Sequence, residues 1–432
     1  THNADAFVNA VVAANTSETD KIVIIPQDTI IYMSNVSFFN IHNVIIQIDG
    51  TIRISDNLER WNRDRLACFY FEDSEGIHIN GNGNGIIDGQ GLAWWRLTYL
   101  GIDYRPNLFE IHTTRDITFQ NVLLLSSPRW SIYLKDCADV VIHDITIYID
   151  STIIRNNGND SVTYALNTDG IDIAAYNVTI YNTNITNYDD AIVPKPCRSN
   201  WKYCQCAGNI MAYNNTITYS TGLTIGSVPP NENVNCIRNV TFKDTTMYRP
   251  LKAIYLKSNP GTSGSGIIED ILFENIHIEQ ALWWTIWMGP QQQNQPGGSD
   301  GTGCNFLFPF ITTCPTQPLV TFNHITFRNI IAIDTLPLFE GPGVFLCDPT
   351  NPCTDITFDN VVNTMWDGNV TEFISQLPIN IPNIILPHYH KDEFEYEYIV
   401  SNMYGSSIGN VTPSVCLEDD CFWKDETETE TE

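Results

Sequence analysis

Two short segments bring four carboxylates together: NTDGIDI at 167–173 and YDDAIVPKPC at 188–197 contribute Asp169, Asp172, Asp189 and Asp190, with no basic residue among them. Carboxylates crowded into one patch repel one another, so at least one keeps its proton at a pH where an isolated aspartate has lost it. A protonated acid beside an ionised one is what glycoside hydrolysis needs. The acid protonates the leaving oxygen while the carboxylate activates water or attacks the sugar. The competing reading is structural, because Asp and Asn also cap turns and build ladders in stacked β proteins. In a regular strand Asp189 and Asp190 point to opposite faces, so both can serve one site only if the chain bends at 188–191.

A repeat supplies the elements that would position these residues. DITFQNV (116–122), DVVIHDI (139–145), NVTIYNT (177–183), NVTFKDT (239–245), DILFENI (270–276), HITFRNI (324–330) and DITFDNV (355–361) share one pattern, a polar residue, β-formers and then Asn or Asp. Aligning Phe119, Ile142, Ile180, Ala212, Phe242, Phe273, Phe327 and Phe358 gives steps of 23, 38, 32, 30, 31, 54 and 31 residues. Such a period marks a stacked architecture. Alternating β-branched and aromatic residues without a long stretch of helical period disfavour βαβ units. The steps fit an all-β fold, one parallel β-helix from about residue 20 to 370, in which stacking at about 4.8 Å makes residues one coil apart into neighbours. Asp169 then sits one coil from Asp189 and Asp190.

Solenoid ends must be covered, because an open coil exposes apolar faces and strand edges. Residues 1–19, of helical composition over ADAFVNAVVAAN, are expected to cap one end, and residues 371–432 to form an irregular C-terminal extension closing in the acidic DETETETE. The Gly/Pro/Gln-rich stretch 289–304 accounts for the 54-residue step as an inserted loop.

The net charge of -28 argues against nucleic acid and anionic lipid as partners. No run reaches the roughly 18 to 20 apolar residues of a membrane-spanning helix, so no membrane insertion is expected. Twelve cysteines, several close in sequence, suggest disulfides of undetermined connectivity, although Cys204-Gln-Cys206 could instead bind metal. Sequons at Asn15, Asn35, Asn159, Asn177, Asn184, Asn214, Asn239, Asn369 and Asn410, with the cysteines and a start at Thr1, point to a secreted or lumenal glycoprotein. Oligomeric state is not legible.

Four blocks in order, GNGIIDGQGLAWW (83–95), NTDGIDI, Asp189-Asp190 and GLTIGSV (222–228), resemble glycoside hydrolase family 28, the polygalacturonase and rhamnogalacturonase group, over about residues 20 to 365. The resemblance implies a right-handed parallel β-helix that hydrolyses pectic glycosides with inversion, without metal or other cofactor. It implies Asp189 as general acid, Asp169 and Asp190 as the pair that positions and deprotonates water, and Asn167 and Asp172 as flanking members of the site. Two departures bear on substrate. Thr221 stands where the family has His, and Tyr255 where it has Arg, with Lys257 kept and Lys252 nearby. Loss of the Arg removes a bidentate partner for a uronic acid carboxylate, leaving Lys257 as a point charge. A rhamnogalacturonan-like or less acidic glycan then becomes as attractive as plain homogalacturonan.

Trp283 and Trp287 offer flat faces for sugar C–H groups and, by alternation, one shared face, or else they pack beneath the 289–315 loop. Trp94 and Trp95 read as structural, and His388-x-His390 as a surface loop. Three functions therefore compete: a pectin-type glycoside hydrolase, a non-catalytic carbohydrate-binding or structural β-helix, and a polysaccharide lyase, which commonly needs calcium and a basic residue near the acids.

Overall fold

The computed structural model describes residues 2–61, 67–98, 103–150, 165–293, 304–305, 308–309, 314–336, 341–368 and 396–417. Its strands pair in parallel from one coil to the next. Because strand–crossover–parallel strand connections are right-handed, the chain is a right-handed parallel β-helix. Among the described residues only His2–Thr16 and Leu92–Thr98 are α-helical.

The repeat has a backbone cause. Each unit holds two residues five apart in the left-handed region: Asp116 and Asn121, Asp139 and Asp144, Asn177 and Asn182, Asn209 and Asn214, Asn239 and Asp244, Asp270 and Asn275, His324 and Asn329, Asp355 and Asn360, all with φ between 50° and 60°. Asn and Asp tolerate that conformation better than other side chains, so they recur where each coil turns. Their side chains also link coils. Asn177 donates to Asp139 (2.6 Å), Asn209 to Asn177 (2.8 Å), Asn182 to Asp144 (3.0 Å) and Asn214 to Asn182 (2.6 Å).

Between the two turns lies the inward position. The eight aligned residues from Phe119 to Phe358 are register partners, each with the next. They form a continuous buried column in which Phe242, Phe273, Phe327 and Phe358 stack at 5.2, 5.6 and 5.1 Å. Every member is fully buried.

The helix His2–Thr16 lies against the first coils, burying Ala4, Phe7, Val11 and Ala14, with Phe7 edge-on to Phe38 at 5.9 Å. At the other end the stack passes the expected limit of 370. Ile399–Ser401 pairs with Gly343–Leu346, and Met403–Thr412 pairs with Cys353–Met365. This last coil carries little of the repeat, and among the described residues its outer side supports no further strand. Ser407, not an aromatic residue, is the register partner of Phe358. The acidic tail and His388-x-His390 lie outside the described residues, as does most of the 289–304 loop, whose ends pair through Gln292–Gln293 and Cys304–Asn305. Disulfides join Cys197 to Cys204, Cys206 to Cys236, Cys304 to Cys314 and Cys347 to Cys353, so Cys204 and Cys206 are not a metal pair.

Candidate active site

The carboxylates gather where one face of the helix turns into the next strand. Asp169 precedes the strand Ile171–Tyr181, which carries Asp172, and Asp189 and Asp190 lie between Asn184–Thr186 and Ile192–Pro194. Residues 188–191 form no strand, which lets two consecutive side chains serve one site. Asn187 holds that bend. Its Nδ2 lies 2.9 Å from Thr168 O, 3.0 Å from Asp189 O and 2.9 Å from Asp190 O. The next coil adds Ser220 Oγ, donating to Asp189 O at 2.6 Å, and Thr221 N, donating to the same oxygen at 2.8 Å.

Asp169, Asp189 and Asp190 each place a carboxylate oxygen within 4.8 Å of the others, all three buried. Asp190 is the most heavily supported. It accepts from Lys257 Nζ (2.7 Å), Thr221 Oγ1 (2.6 Å) and Thr224 Oγ1 (3.0 Å), with Lys195 Nζ at 3.6 Å. Burial pushes its pKa up, but Lys257, Lys195 and these donors outweigh burial and hold it at about 2. Among the described residues Asp189 accepts only backbone donors, Asn167 N (3.2 Å) and Asp190 N (2.9 Å). Burial first, and the Asp190 charge second, raise its pKa against the pull of Lys257. Desolvation, rather than the neighbouring charges expected from the sequence, thus leads. Burial and the charges of Asp189, Asp172 and Asp190 push Asp169 well above the usual range. Asp172, wholly enclosed, is raised to about 7 by burial although Lys195 stands 3.2 Å away.

The three carboxylates are hard oxygen donors of the type that calcium or magnesium takes. Asp190, however, already spends its oxygens on two lysines and two threonines, and the described geometry fits an ion-paired acid better than a metal cage.

The remaining expected site residues divide sharply. Thr221, where a His was expected, orients Asp190. Asn167 links Asp189 to Arg105, a buried cation whose Nη2 donates to Asn167 Oδ1 at 3.0 Å and which pairs with Asp103. Lys257 is not an idle point charge, because Asp190 engages it. Tyr255 is 3% exposed and its hydroxyl accepts from Gln292 N at 3.0 Å, making it a wall rather than a ligand contact. Trp287 is also wrongly placed for sugar stacking. It is fully enclosed by Tyr255, Trp284 and Phe308, and its Nε1 donates to Pro290 O. Trp283 is half-buried, while Trp94 and Trp95 are core. Lys252 is buried among rings.

Sequence reasoning missed Lys195, which sits inside the second motif and neutralises Asp172 and Asp190, so the cluster is not without basic partners. Register would have exposed it, since Ile173 pairs with Pro194. It also missed half-buried Trp130, whose ring lies 5.6 Å from Lys195 Nζ. Thr224 was legible from alternation after Gly222, whereas nothing near Arg105 in sequence signalled it.

Comparison with known proteins identifies the family. The model of Glycosyl hydrolases family 28 matches residues 16–379. The exopolygalacturonase of Cochliobolus carbonum is 25% identical over 345 residues, 74% of this chain and 69% of that protein. Alpha-L-rhamnosidase rgxB of Aspergillus niger is 24% identical over 400 residues, 87% and 79% of the two chains. In structure, the endo-xylogalacturonan hydrolase of Aspergillus tubingensis superposes with a TM-score of 0.65 at 17% identity, covering 85% of this chain and 90% of its own, and so shares the fold. Since the family model spans most of the chain, on the same helix that carries the aspartate trio, the chain belongs to glycosyl hydrolases family 28.

Proposed function

We propose that the chain hydrolyses glycosidic bonds of a pectin-type polysaccharide, with Asp189 protonating the leaving oxygen and Asp169 and Asp190 holding and deprotonating the attacking water. The observation that carries this reading is the split within one trio. Lys257 and Lys195 hold the pKa of Asp190 down at about 2, while burial and the Asp190 charge raise that of Asp189, a few ångströms away. Burial also raises Asp169, which feels the Asp189 charge most strongly among its neighbours. Relatives named as an exopolygalacturonase and an alpha-L-rhamnosidase support pectic sugars as the substrate class. The disulfides support action in an oxidising compartment, outside the cell or in a lumen.

Family membership supports inversion, and the close approach of the trio, one oxygen of each within 4.8 Å of the others, makes retention the second reading. The experiment is reducing-end release on homogalacturonan, rhamnogalacturonan, branched pectin and neutral glycans, with the first-formed anomer followed by NMR. Expected are cleavage of pectic substrates, weaker action on plain homogalacturonan than on rhamnose-containing or branched pectin, and an inverted anomer. A retained anomer would make Asp169 or Asp190 a nucleophile, and no release from any glycan would leave a binding protein.

A further inference from the structure

Lys252 opens the strand Lys252–Ser258 and is 3% exposed. Its Nζ lies 4.3 Å from the ring centroids of Tyr255 and Trp283 and 5.6 Å from that of Trp287. Among the described residues it makes no hydrogen bond and no ion pair. An enclosed ammonium without an anion is costly, and ring faces return only part of what hydration provided. Its neighbours on the strand are already committed, Lys257 to Asp190 and the Tyr255 hydroxyl to Gln292 N. Lys252 and Lys257 both lie against the Tyr255 ring, at 4.3 and 4.7 Å from its centroid, so three unused N–H donors stand one ring away from the cation that holds Asp190. Of the three rings around Lys252, Tyr255 and Trp287 are closed to solvent and Trp283 is half-buried, so Trp283 is the wall that faces outward.

We infer that Lys252, rather than Lys257, is the cation that receives a uronic acid carboxylate of the substrate beside the scissile bond. The inference rests on the glycoside hydrolase reading above. It moves the missing charge at Tyr255 to the first residue of the same strand, where a single end-on oxygen satisfies the ammonium. A methyl ester or a reduced –CH2OH at that position leaves Lys252 unpaired and binds less well. Lys252 acts only when protonated. Burial first, and the Lys257 charge second, draw its pKa down to about 7, with Asp190 and Asp189 opposing them and Tyr255 facing it as a neutral phenol.

The test is calorimetric titration of the Asp189→Asn protein, whose turnover is slowed by about 10²–10⁴, with trigalacturonate and with its carboxyl-reduced counterpart at pH 5. Trigalacturonate is expected to bind about tenfold or more tighter, the scale of a charge-assisted hydrogen bond. Adding Lys252→Met removes that preference and leaves affinity for the reduced sugar within about threefold, the margin allowed for repacking a volume-conserving core change. Without any change at Lys252, the preference also falls as pH rises through about 7. A merely structural Lys252 would instead weaken both probes alike. Equal weakening, a preference that survives Lys252→Met or pH 8.5, or binding of neither probe overturns the inference. Absence of hydrolysis by the parent protein overturns the enzyme reading and leaves this binding test intact.

Discussion

Replacing Lys257 by Met tests the ionic support of the proposed base directly. Lys257 Nζ stands 2.7 Å from Asp190 Oδ2 with both side chains nearly closed to water, 6% and 2% exposed. At an effective dielectric of about 20, two unit charges at that distance attract by about 6 kcal/mol, and the second lysine, Lys195, at 3.6 Å, adds about 5. Removal of Lys257 thus withdraws somewhat more than half of the ionic support and keeps the rest. At about 1.36 kcal/mol per pKa unit the Coulomb loss alone would be about 4 units, and relaxation towards Lys195 and water reduces it to about 2 or more. Asp190 then titrates near pH 4 or above instead of about 2. A base works only when ionised, so activity is lost as pH falls through this value, and the acid limb of kcat/KM moves up by about 2 units in the variant. Stability follows the same sign. A depressed carboxylate stabilises the fold above its unfolded pKa of about 3.9, so the variant is weaker by about 3–5 kcal/mol near neutrality, and the gap closes as pH falls towards 2. The assays are pH–rate profiles on one pectic substrate and urea unfolding at several pH values. An acid limb that stays put in a folded, active variant would refute the assignment of Asp190.

Asp189→Asn keeps the size and removes the transferable proton, so kcat on a natural glycan should fall by about 10²–10⁴, and by less on a synthetic glycoside with a good leaving group. In the parent, activity declines as pH rises through the elevated Asp189 value, which places the optimum on the acid side. Asn187→Ala removes the amide that fastens the carbonyls of Thr168, Asp189 and Asp190. It should cost about 2–3 kcal/mol, at about 1 per lost bond, and depress kcat with little change in KM. Phe273→Ala, in the middle of the stacked column, should cost about 3–5 kcal/mol in chemical unfolding while its distance from the trio spares the pH profile.

The coil was legible because two local demands coincide in every unit. A left-handed turn asks for Asn or Asp, and the inward position between two such turns asks for an apolar residue, so aligning Phe119 through Phe358 recovers the observed register. The last coil escaped because a terminal strand meets the first demand without the second. Gly405, where a Cβ would lie 1.8 Å from Ile356 O, serves close backbone approach, and the exposed Ser407 fills no core. At the site, the carboxylates were legible from residue type alone. Their partners were not, because Lys257 reaches Asp190 across 67 residues and Arg105 reaches Asn167 across 62, and only the stacking makes those separations short. Trp287 was misread for the reverse reason. Alternation gives the face of a strand but not whether another segment covers that face, and Phe308 covers this one.

Charge balance explains why such a site can hold a proton for catalysis at all. Asp169, Asp172, Asp189 and Asp190 are enclosed with two paired cations, Lys195 and Lys257. A buried group carrying several net charges is strongly disfavoured, so the cluster is most stable when two carboxylates are ionised and two are protonated. Asp190, held by both lysines, takes one of the two negative charges. Asp169, Asp172 and Asp189 all have raised values, so protonation falls on them before Asp190. The acid is therefore a consequence of neutrality rather than of any single neighbour. Delivery of its proton to a leaving oxygen would leave the cluster with an excess negative charge, and the proton taken from water by the base restores the balance. Donation and abstraction are in this way tied electrostatically, and removing either lysine should shift the protonation of the whole group, not of one aspartate.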